Sequence, residues 1–432
     1  MYRHMVPMTT FALVTATLFS SATFAQVSPS NSDGQAVHKA VPVAQPLTLS
    51  EAIRLALQFS PQIVANQQEL AASEGAVIQA GARPNPEVQA LLEDTRRDSR
   101  TTTVQLSQPI ELGGKRSARI SVAEAARAQT AVDIEGRRAQ IRADVADAFF
   151  AAAIAQERVK LAQASVDLSM RGTDAVSKRV QAGKVSAVDE TRAKVAHAGV
   201  RLELLQAQSE LRSARQGLAA LLGPASAVRA QTLVWQSGVQ PAARNLEASQ
   251  LSDVPVLRQA RLEVDKRQAM VELEEARRVP DVTLTLGAKR DQQVGRNQAV
   301  IGLAIPIPVL DTNRGNLLQA LRLHDKAEAD FQATRIRVET EWVQLTERQR
   351  FAQAEVDVLR SEVLPGAESA WQAATTGFEL GKFSFLDALD AQRTLLQARA
   401  QYLRALNELY RTNANIDRLL GTSGEEQTTS KP

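Results

Sequence analysis

The chain of 432 residues contains two copies of one pattern, and this internal duplication limits the folds it can adopt. Pro61 and Pro86 mark a helix-like and an extended stretch in the first copy, and Pro255 and Pro280 mark them at the same spacing in the second. Two later landmarks also recur: Gly183-Lys184 matches Gly381-Lys382, and Leu221 to Gly223 matches Leu419 to Gly421. Duplicated units of this kind usually pack against one another. The predicted organisation is a first repeat at 47–223, a connection at 224–253, a second repeat at 254–421 and a disordered tail at 422–432.

The N-terminus has the pattern of a secretory signal peptide. A weakly basic start is followed by apolar residues from Thr9 to Phe19 and by the small-residue cleavage pattern Thr23-Phe24-Ala25. We predict a signal peptide at 1–25, with cleavage after Ala22 as the alternative, and an extended or disordered leader at 26–46. A membrane anchor is disfavoured because the apolar run is shorter than the roughly 20 residues that span a bilayer. The chain has no cysteine, which excludes disulfides and thiolate metal sites.

Charge and residue types argue against several function classes. Loss of Arg3 with the signal peptide leaves 50 Lys and Arg against 48 Asp and Glu, a balance that does not suit a nucleic-acid-binding protein. Gly113-Gly114-Lys115 is interpreted as a strand-to-helix turn, because Pro109 and Arg116 break the pattern of a phosphate-binding loop. The histidines are isolated in the sequence: His4, His38, His197 and His324. We therefore predict no enzyme activity, no cofactor and no specific metal site.

Each copy contains two stretches in which apolar and polar residues alternate, as expected for strands with one apolar face. In the first copy they are Val88 to Leu92 and Thr101 to Gln108, joined by a loop at Asp94 to Arg100 and followed by a turn at Pro109. The second hairpin is predicted to have its loop at Lys289 to Asn297. Its apolar face is predicted to consist of Val282, Leu284, Leu286, Ile301, Leu303 and Ile305. Each strand is about as long as a tilted transmembrane strand, so we expect this face to contact lipid.

Long helical stretches make up most of the remaining chain. A helix capped by Thr48 or Ser50 is predicted to continue past Pro61 and to stop before Pro84. From Ser117 to Val180 there is no proline, and a helix of that length is a rod of roughly 95 Å. Because a globular domain has no room for such a rod, the sequence predicts an elongated helical structure.

Apolar residues recur every seven positions in the helices that return from these rods. The first return, from Gly183 to Leu222, has two stripes: Val188, Val195 and Leu202, and Leu204, Leu211 and Leu218. The second return also has two: Leu389, Leu396, Leu403 and Tyr410, and Leu395, Tyr402, Leu409 and Ile416. Two stripes on one helix indicate packing against two neighbours. An antiparallel coiled coil without a channel is the alternative.

Both kinds of element predict association with other copies. Four amphipathic strands cannot close a barrel alone, and each unpaired backbone group costs several kcal/mol in lipid. Helices with two packing stripes can contact both neighbours in a closed ring. The expected fold class is mainly α with a small β portion.

Four kinds of segment resemble the TolC-like outer-membrane factor family. They are PNPEV at Pro84 to Val88, VQLSQPIELGGKR at Val104 to Arg116, VIGLAIPIPV at Val300 to Val309, and the G-K-x-S-x-x-D turns at Gly183 to Asp189 and Gly381 to Asp387. The stretch from Ser107 to Ile120 is most similar to the CzcC-like branch, which serves heavy-metal cation efflux. The resemblance implies a homotrimer in the outer membrane, with a β-barrel of four strands per chain that continues into a periplasmic α-helical barrel.

The resemblance also implies a function and partners. The chain would be the passive exit duct of a tripartite efflux pump for divalent heavy-metal cations, working with a periplasmic adaptor (a membrane fusion protein) and an inner-membrane RND pump. Two alternatives stay open. The same duct could serve drug efflux or type I secretion, or the chain could be a periplasmic coiled-coil adaptor, which would have one helical hairpin and a lipoyl-like domain.

The resemblance assigns acidic residues to the channel constriction. Asp387 and Asp390 follow Gly381 by the spacing of the family's lumen-facing aspartates. Crowding in a ring is expected to raise some of their pKa values. On the sequence alone, the simpler interpretation is that these are solvated acids favoured by a helix N-terminus.

The family's polar latch is incomplete in this chain. It joins the residue equivalent to Asp189 to a tyrosine and an arginine, but Phe378 and Phe383 stand at those two positions. We therefore expect closure by aromatic packing, unless Lys382 points across. The turns at the rod ends are predicted to dock on the pump through Gly183, Lys184, Ser186, Gly381, Lys382 and Ser384.

Overall fold

Two helical hairpins and one four-stranded sheet form the described part of the chain, which is seen in a computed structural model at residues 47–94, 96–223, 227–231, 233–234 and 248–421. The predicted signal peptide, leader and tail, and much of the connection, lie outside the described residues. The described connection contains the 3₁₀ turns Ala227–Gln231 and Ala248–Asp253.

The two repeats have the expected order of elements. The first contains α1 (Leu49–Phe59), α2 (Pro61–Ala80), β1 (Glu87–Glu93), β2 (Thr101–Ile110), α3 (Lys115–Gln181) and α4 (Ala187–Leu222). The second contains α5 (Pro255–Ala276), β3 (Val282–Asp291), β4 (Arg296–Ala304), α6 (Arg314–Val358), a π-helical turn (Leu359–Val363), α7 (Leu364–Glu379) and α8 (Phe385–Leu420). The mainly α fold class with a small β portion is confirmed.

Three local expectations were wrong. The predicted helix through Pro61 is two helices, because Ser60 is extended (ψ 116°) as residues before proline usually are. The predicted turn at Pro109 is strand. The last residue of β2 that pairs with β1 is Ser107. Pro109 therefore pairs only with β3, and its missing N–H removes no hydrogen bond from the β1–β2 pairing. The predicted loop at Lys289 to Asn297 is mostly strand, and only residues 292–295 form the turn.

The four strands form one antiparallel sheet in the order β1-β2-β3-β4. Leu284 pairs with Leu303 and Leu286 with Ile301, so the apolar residues share one face, on which Ile301 is 79% exposed. On the opposite face the Gln105 side chain donates to Gln89 at 2.5 Å. Within the described residues each outer strand, β1 and β4, pairs along one side only. Lipid contact by the apolar face stays a prediction.

The helices bury part of the predicted stripes. In α8, Leu395, Leu403 and Leu409 are buried, and α4 buries Leu218 beneath α1 and α3. The other stripe of α4 is largely exposed in the described part of the chain: Val188 at 58%, Val195 at 68% and Leu202 at 67%. One described face of α4 is therefore available to a neighbour. No described helix is both long and apolar enough to cross a membrane.

The π-helical turn was not anticipated from the sequence. The Leu364 N–H donates to the Leu359 carbonyl, five residues back, just before Pro365, which has no N–H. Before the turn, buried residues recur every seventh position, at Val338, Leu345, Ala352 and Leu359. After it they fall one place later than that series, at Ala367 and Ala374. The turn therefore absorbs one residue.

Replacing Gly287 with alanine is expected to disrupt the pairing of β2 with β3. A Cβ there would lie 2.6 Å from the Val104 carbonyl oxygen and 2.8 Å from the Gln105 Cβ. Overpacking of this kind costs about 1–3 kcal/mol, so the thermal transition of the purified protein in detergent should fall. Gly302→Ala is the matched control, since its Cβ would be 3.5 Å from Thr285. Equal transitions for both variants would contradict this packing.

Candidate functional site

The two turns that end the long rods have the same backbone hydrogen bonding. Gly183 and Gly381 adopt positive φ values of 68° and 73°, which glycine allows without strain. The Lys184 N–H donates to the Arg179 carbonyl at 2.9 Å, and the Lys382 N–H donates to the Gly377 carbonyl at 2.7 Å. Both bonds span five residues, as in a Schellman motif. Each predicted tip is therefore a tight helix reversal.

The helices that leave these turns are capped by serines. Ser186 Oγ accepts from the Val188 N–H at 3.1 Å. At the second turn the cap is reciprocal: Ser384 Oγ accepts from the Asp387 N–H at 3.2 Å, and Asp387 Oδ2 accepts from the Ser384 N–H at 2.9 Å. This capping box satisfies two backbone donors at the start of α8.

Asp387 is stabilised in its ionised form. Hydrogen bonds from the Ser384 side chain and backbone lower the pKa of Asp387 within the single chain. The raised pKa values expected from crowding in a ring of copies stay a prediction. The carboxylate has a local structural role whether or not it also lines a channel. Asp390 is exposed one turn further on, where its backbone carbonyl accepts from Thr394 Oγ1 at 3.0 Å.

The first-repeat aspartate makes its described ion pair within its own helix. Asp189 lies 3.8 Å from Arg192 Nη1, three residues along α4. At the tips, Arg179, near the end of α3, contacts the second repeat. Its guanidinium carbon lies 4.2 Å from the centroid of the Phe378 ring, and its Nη2 donates to the Phe378 carbonyl at 3.2 Å. The two tips of one chain are therefore clamped by a cation–π contact and a hydrogen bond.

Sequence reasoning missed Arg179. The available signal was a break in the repeat, because the equivalent position in the second copy is Gly377. A Cβ on Gly377 would lie 2.1 Å from the Phe383 ring, so the ring packs directly on the α7 backbone. Phe378 and Phe383 thus have different partners: Phe378 contacts the first repeat, and Phe383, in the turn, packs on Gly377 of α7.

The turn containing Gly113-Gly114-Lys115 joins the sheet to the rods, as predicted. Arg116 Nε donates to the Gly81 carbonyl at 2.7 Å, and Arg119 Nη2 donates to the Ala82 carbonyl at 3.2 Å. These arginines cap the C-terminal end of α2, where unpaired carbonyls carry partial negative charge. The two arginines that follow this turn therefore have a structural role at the junction.

Most of the chain matches the model of a known family. Residues 52–224 and 248–422 match the family model for outer membrane efflux proteins. The chain belongs to the outer membrane efflux protein family. The two matched segments correspond to the two repeats. The predicted efflux role, the outer-membrane location and the large helical part outside the membrane are thereby confirmed.

Individual relatives of this outer membrane efflux protein include resistance proteins. It is 46% identical over 380 residues, 88% of this chain and 91% of the relative, to the cobalt-zinc-cadmium resistance protein CzcC of Cupriavidus metallidurans. It is 28% identical over 295 residues, 66% of this chain and 69% of the relative, to the nickel and cobalt resistance protein CnrC of the same organism.

Solved structures share the fold. The outer membrane protein VceC of Vibrio cholerae superposes with a TM-score of 0.74 at 22% identity, covering 87% of this chain and 96% of that one. The MtrE outer membrane channel of Neisseria gonorrhoeae, in its open state, gives 0.70 at 18% identity, covering 87% and 89%. At these identities the likeness establishes the architecture of this outer membrane efflux protein and nothing finer.

The capping box predicts a pH dependence at the α8 tip of this efflux protein. Because the pKa of Asp387 is lowered on folding, its stabilisation is complete above the unfolded value of about 3.9 and is lost as pH falls through the folded value. Amide-exchange protection in the first turn of α8, corrected for intrinsic rates, should therefore be constant near neutral pH and fall in strong acid.

Substitutions separate this cap from a general charge effect. Ser384→Ala should speed exchange in that turn roughly fivefold at neutral pH, since a lost N-cap costs about 1 kcal/mol. Asp390→Asn is the control, because Asp390 stands outside the capping box, and it should leave exchange unchanged. If Asp390→Asn had the larger effect, the capping role of Ser384 and Asp387 would be excluded.

Proposed function

We propose that this chain is the outer-membrane exit duct of a tripartite pump that exports divalent heavy-metal cations. The observation that carries the proposal is the 46% identity to the cobalt-zinc-cadmium resistance protein, which spans 88% of this chain. The nickel and cobalt resistance protein points to the same class of cargo. These relatives favour metal cations over drugs or secreted proteins as the transported species.

The open edges of the sheet support a homotrimer. Outer strands β1 and β4 each pair along one side only in the described chain, and in lipid the free backbone groups must find partners. Pairing β4 of one copy with β1 of the next closes a barrel of four strands per chain. The exposed stripe of Val188, Val195 and Leu202 gives the helices a matching surface for a neighbouring copy.

Mass measurement in detergent tests this assembly. Three chains per particle are expected, because the open sheet edges require other copies and the family resemblance implies a trimer. Leu284→Arg puts a charge on the apolar face and should cost about 2–4 kcal/mol if near the bilayer midplane, lowering the yield of assembled protein. A stable monomer, or normal assembly of Leu284→Arg, would contradict the barrel.

The constriction is proposed to lie at the second tip. Asp387 and Asp390 would line it, since both are exposed in the first turns of α8, and a ring of carboxylates attracts cations and repels anions. Asp189 would join them from the first turn of α4, and Phe378 and Phe383 from either side of Gly381. The Arg179 clamp on Phe378 supports closure by a cation–aromatic contact in place of the polar latch.

Planar-bilayer recording tests both parts of this gate. The Asp387→Asn and Asp390→Asn double variant should weaken block by divalent cations and reduce cation selectivity. Arg179→Gln should raise the conductance of the closed channel, whereas the control Arg201→Gln, which removes an exposed cation farther along α4 from the tip, should not. Unchanged block and selectivity in the double variant would show that the acids do not line the path.

The periplasmic adaptor and the inner-membrane RND pump are proposed to meet the tips. Lys184, Ser186, Lys382 and Ser384 surround the two reversals, and both lysines are exposed. A closed turn with exposed side chains can be recognised without any change in the rods.

Growth on metals tests the proposed function. A strain lacking this chain should become sensitive to cobalt, zinc or cadmium salts and keep its resistance to drugs, and the native chain should restore growth. Lys184→Glu with Lys382→Glu should insert and assemble normally but fail to restore growth, because it reverses the charge of the docking surface. Drug sensitivity without metal sensitivity would favour the drug-efflux alternative.

A further inference from the structure

One face of α6 brings together three side chains that can bind a metal ion. His324, Asp325 and Glu328 have their ligand atoms within 4.8 Å of one another. His324 and Glu328 are four residues apart and therefore neighbours on adjacent turns of the helix. His324 is half-buried, and the two acids are exposed. His324 is isolated from the other histidines in the sequence, but the carboxylate of Glu328 stands four residues further on.

The residue types define the class of ion. An imidazole with two carboxylates suits divalent ions such as zinc, cobalt and nickel, whereas the absence of sulfur ligands makes the set a poor match for soft ions. Magnesium and calcium prefer oxygen ligands alone. Three protein ligands leave further coordination positions to water, so a bound ion can exchange.

Nearby cations limit the affinity. Arg322 Nη1 lies 2.8 Å from Asp325 Oδ2, but the two side chains are 75% and 55% exposed. An exposed pair of this kind contributes about 0–1 kcal/mol, so an ion can displace the arginine. Arg261 borders the cleft between α5 and α6 that Asp325 and Glu328 also line, and its guanidinium carbon lies 5.7 Å from the centroid of the Phe331 ring.

We propose that His324, Asp325 and Glu328 form an exchangeable binding site for a divalent transition-metal ion of the zinc class on the helical part of the duct. The site lies roughly 15 Å along α6 from Arg314, the first residue of the helix. The binding itself is a property of these three side chains. The role of the site in export, as a place where an exported cation binds transiently, rests on the proposed function.

Protection of His324 from acylation tests the site on the purified full-length protein. The chain, without a histidine tag, is treated with diethyl pyrocarbonate over a series of zinc concentrations, and modification at each histidine is measured by mass spectrometry. Zinc should slow modification of His324 and leave that of His197, on α4, unchanged. Glu328→Gln should raise the zinc concentration for half-protection by at least about tenfold.

Two further variants on the same helix sharpen the test. Asp330→Asn is the matched control, because Asp330 pairs with Lys326 at 2.5 Å and lies outside the cluster, so protection should match that of the native chain. Arg322→Gln removes the cation that competes for Asp325 and should lower the half-protection concentration.

The proposal is overturned if zinc slows the acylation of His324 only at concentrations that also slow the acylation of His197. It is equally overturned if Glu328→Gln and Asp330→Asn behave alike. If zinc protects His324 but deletion of the chain causes no metal sensitivity, the site is supported and the proposed function is contradicted. The two failures are therefore distinguishable.

Discussion

Hydrogen bonding at the two outer strands is the constraint on which the rest of the architecture depends. A chain that offers β1 and β4 as open edges cannot enter lipid alone, because its free N–H and C=O groups would have no water to bind. In the proposed trimer, other copies complete those edges and position the helices that follow the strands. The uncovered stripe on α4 would then face a neighbouring copy, so one requirement would account for both the open strands and the exposed apolar stripe.

Side-chain hydrogen bonds at the junction between the sheet and the rods hold the helices in position relative to the strands. In the first repeat, Arg116 and Arg119 of α3 bind the carbonyls of the two residues that directly follow α2. In the second repeat the equivalent link is shorter, since Asn313 Nδ2 donates to the Glu274 carbonyl at 2.9 Å, at the end of α5. The two copies thus use different side chains for one purpose, which is to hold the incoming helix beside the outgoing one where the chain leaves the sheet.

Sequence reasoning succeeded where structure is decided locally. Prolines and glycines set the spacing of the elements, and the reversals at Gly183 and Gly381 need only their own backbone conformation. It failed where distant partners decide. The contact between Arg179 and Phe378 joins residues 199 positions apart, and the pairing that carries β2 through Pro109 comes from the second repeat. The capping box at Asp387 is local and its residue spacing was visible. The sequence analysis placed Asp387 at a helix N-terminus or in a channel, but did not pair it with Ser384.

The π-helical turn at Leu359–Val363 has a consequence for how these rods can change length. Each α-helical residue rotates the chain by about 100° around the helix axis, so one inserted residue in a coiled coil would rotate every later side chain away from its partner. Here the wider turn takes up that rotation within five residues, and the buried series resumes at Ala367 on the side it had before. The second rod therefore accommodates one extra residue within a single turn. The helix on each side of that turn keeps the packing partners it would have if the extra residue were absent.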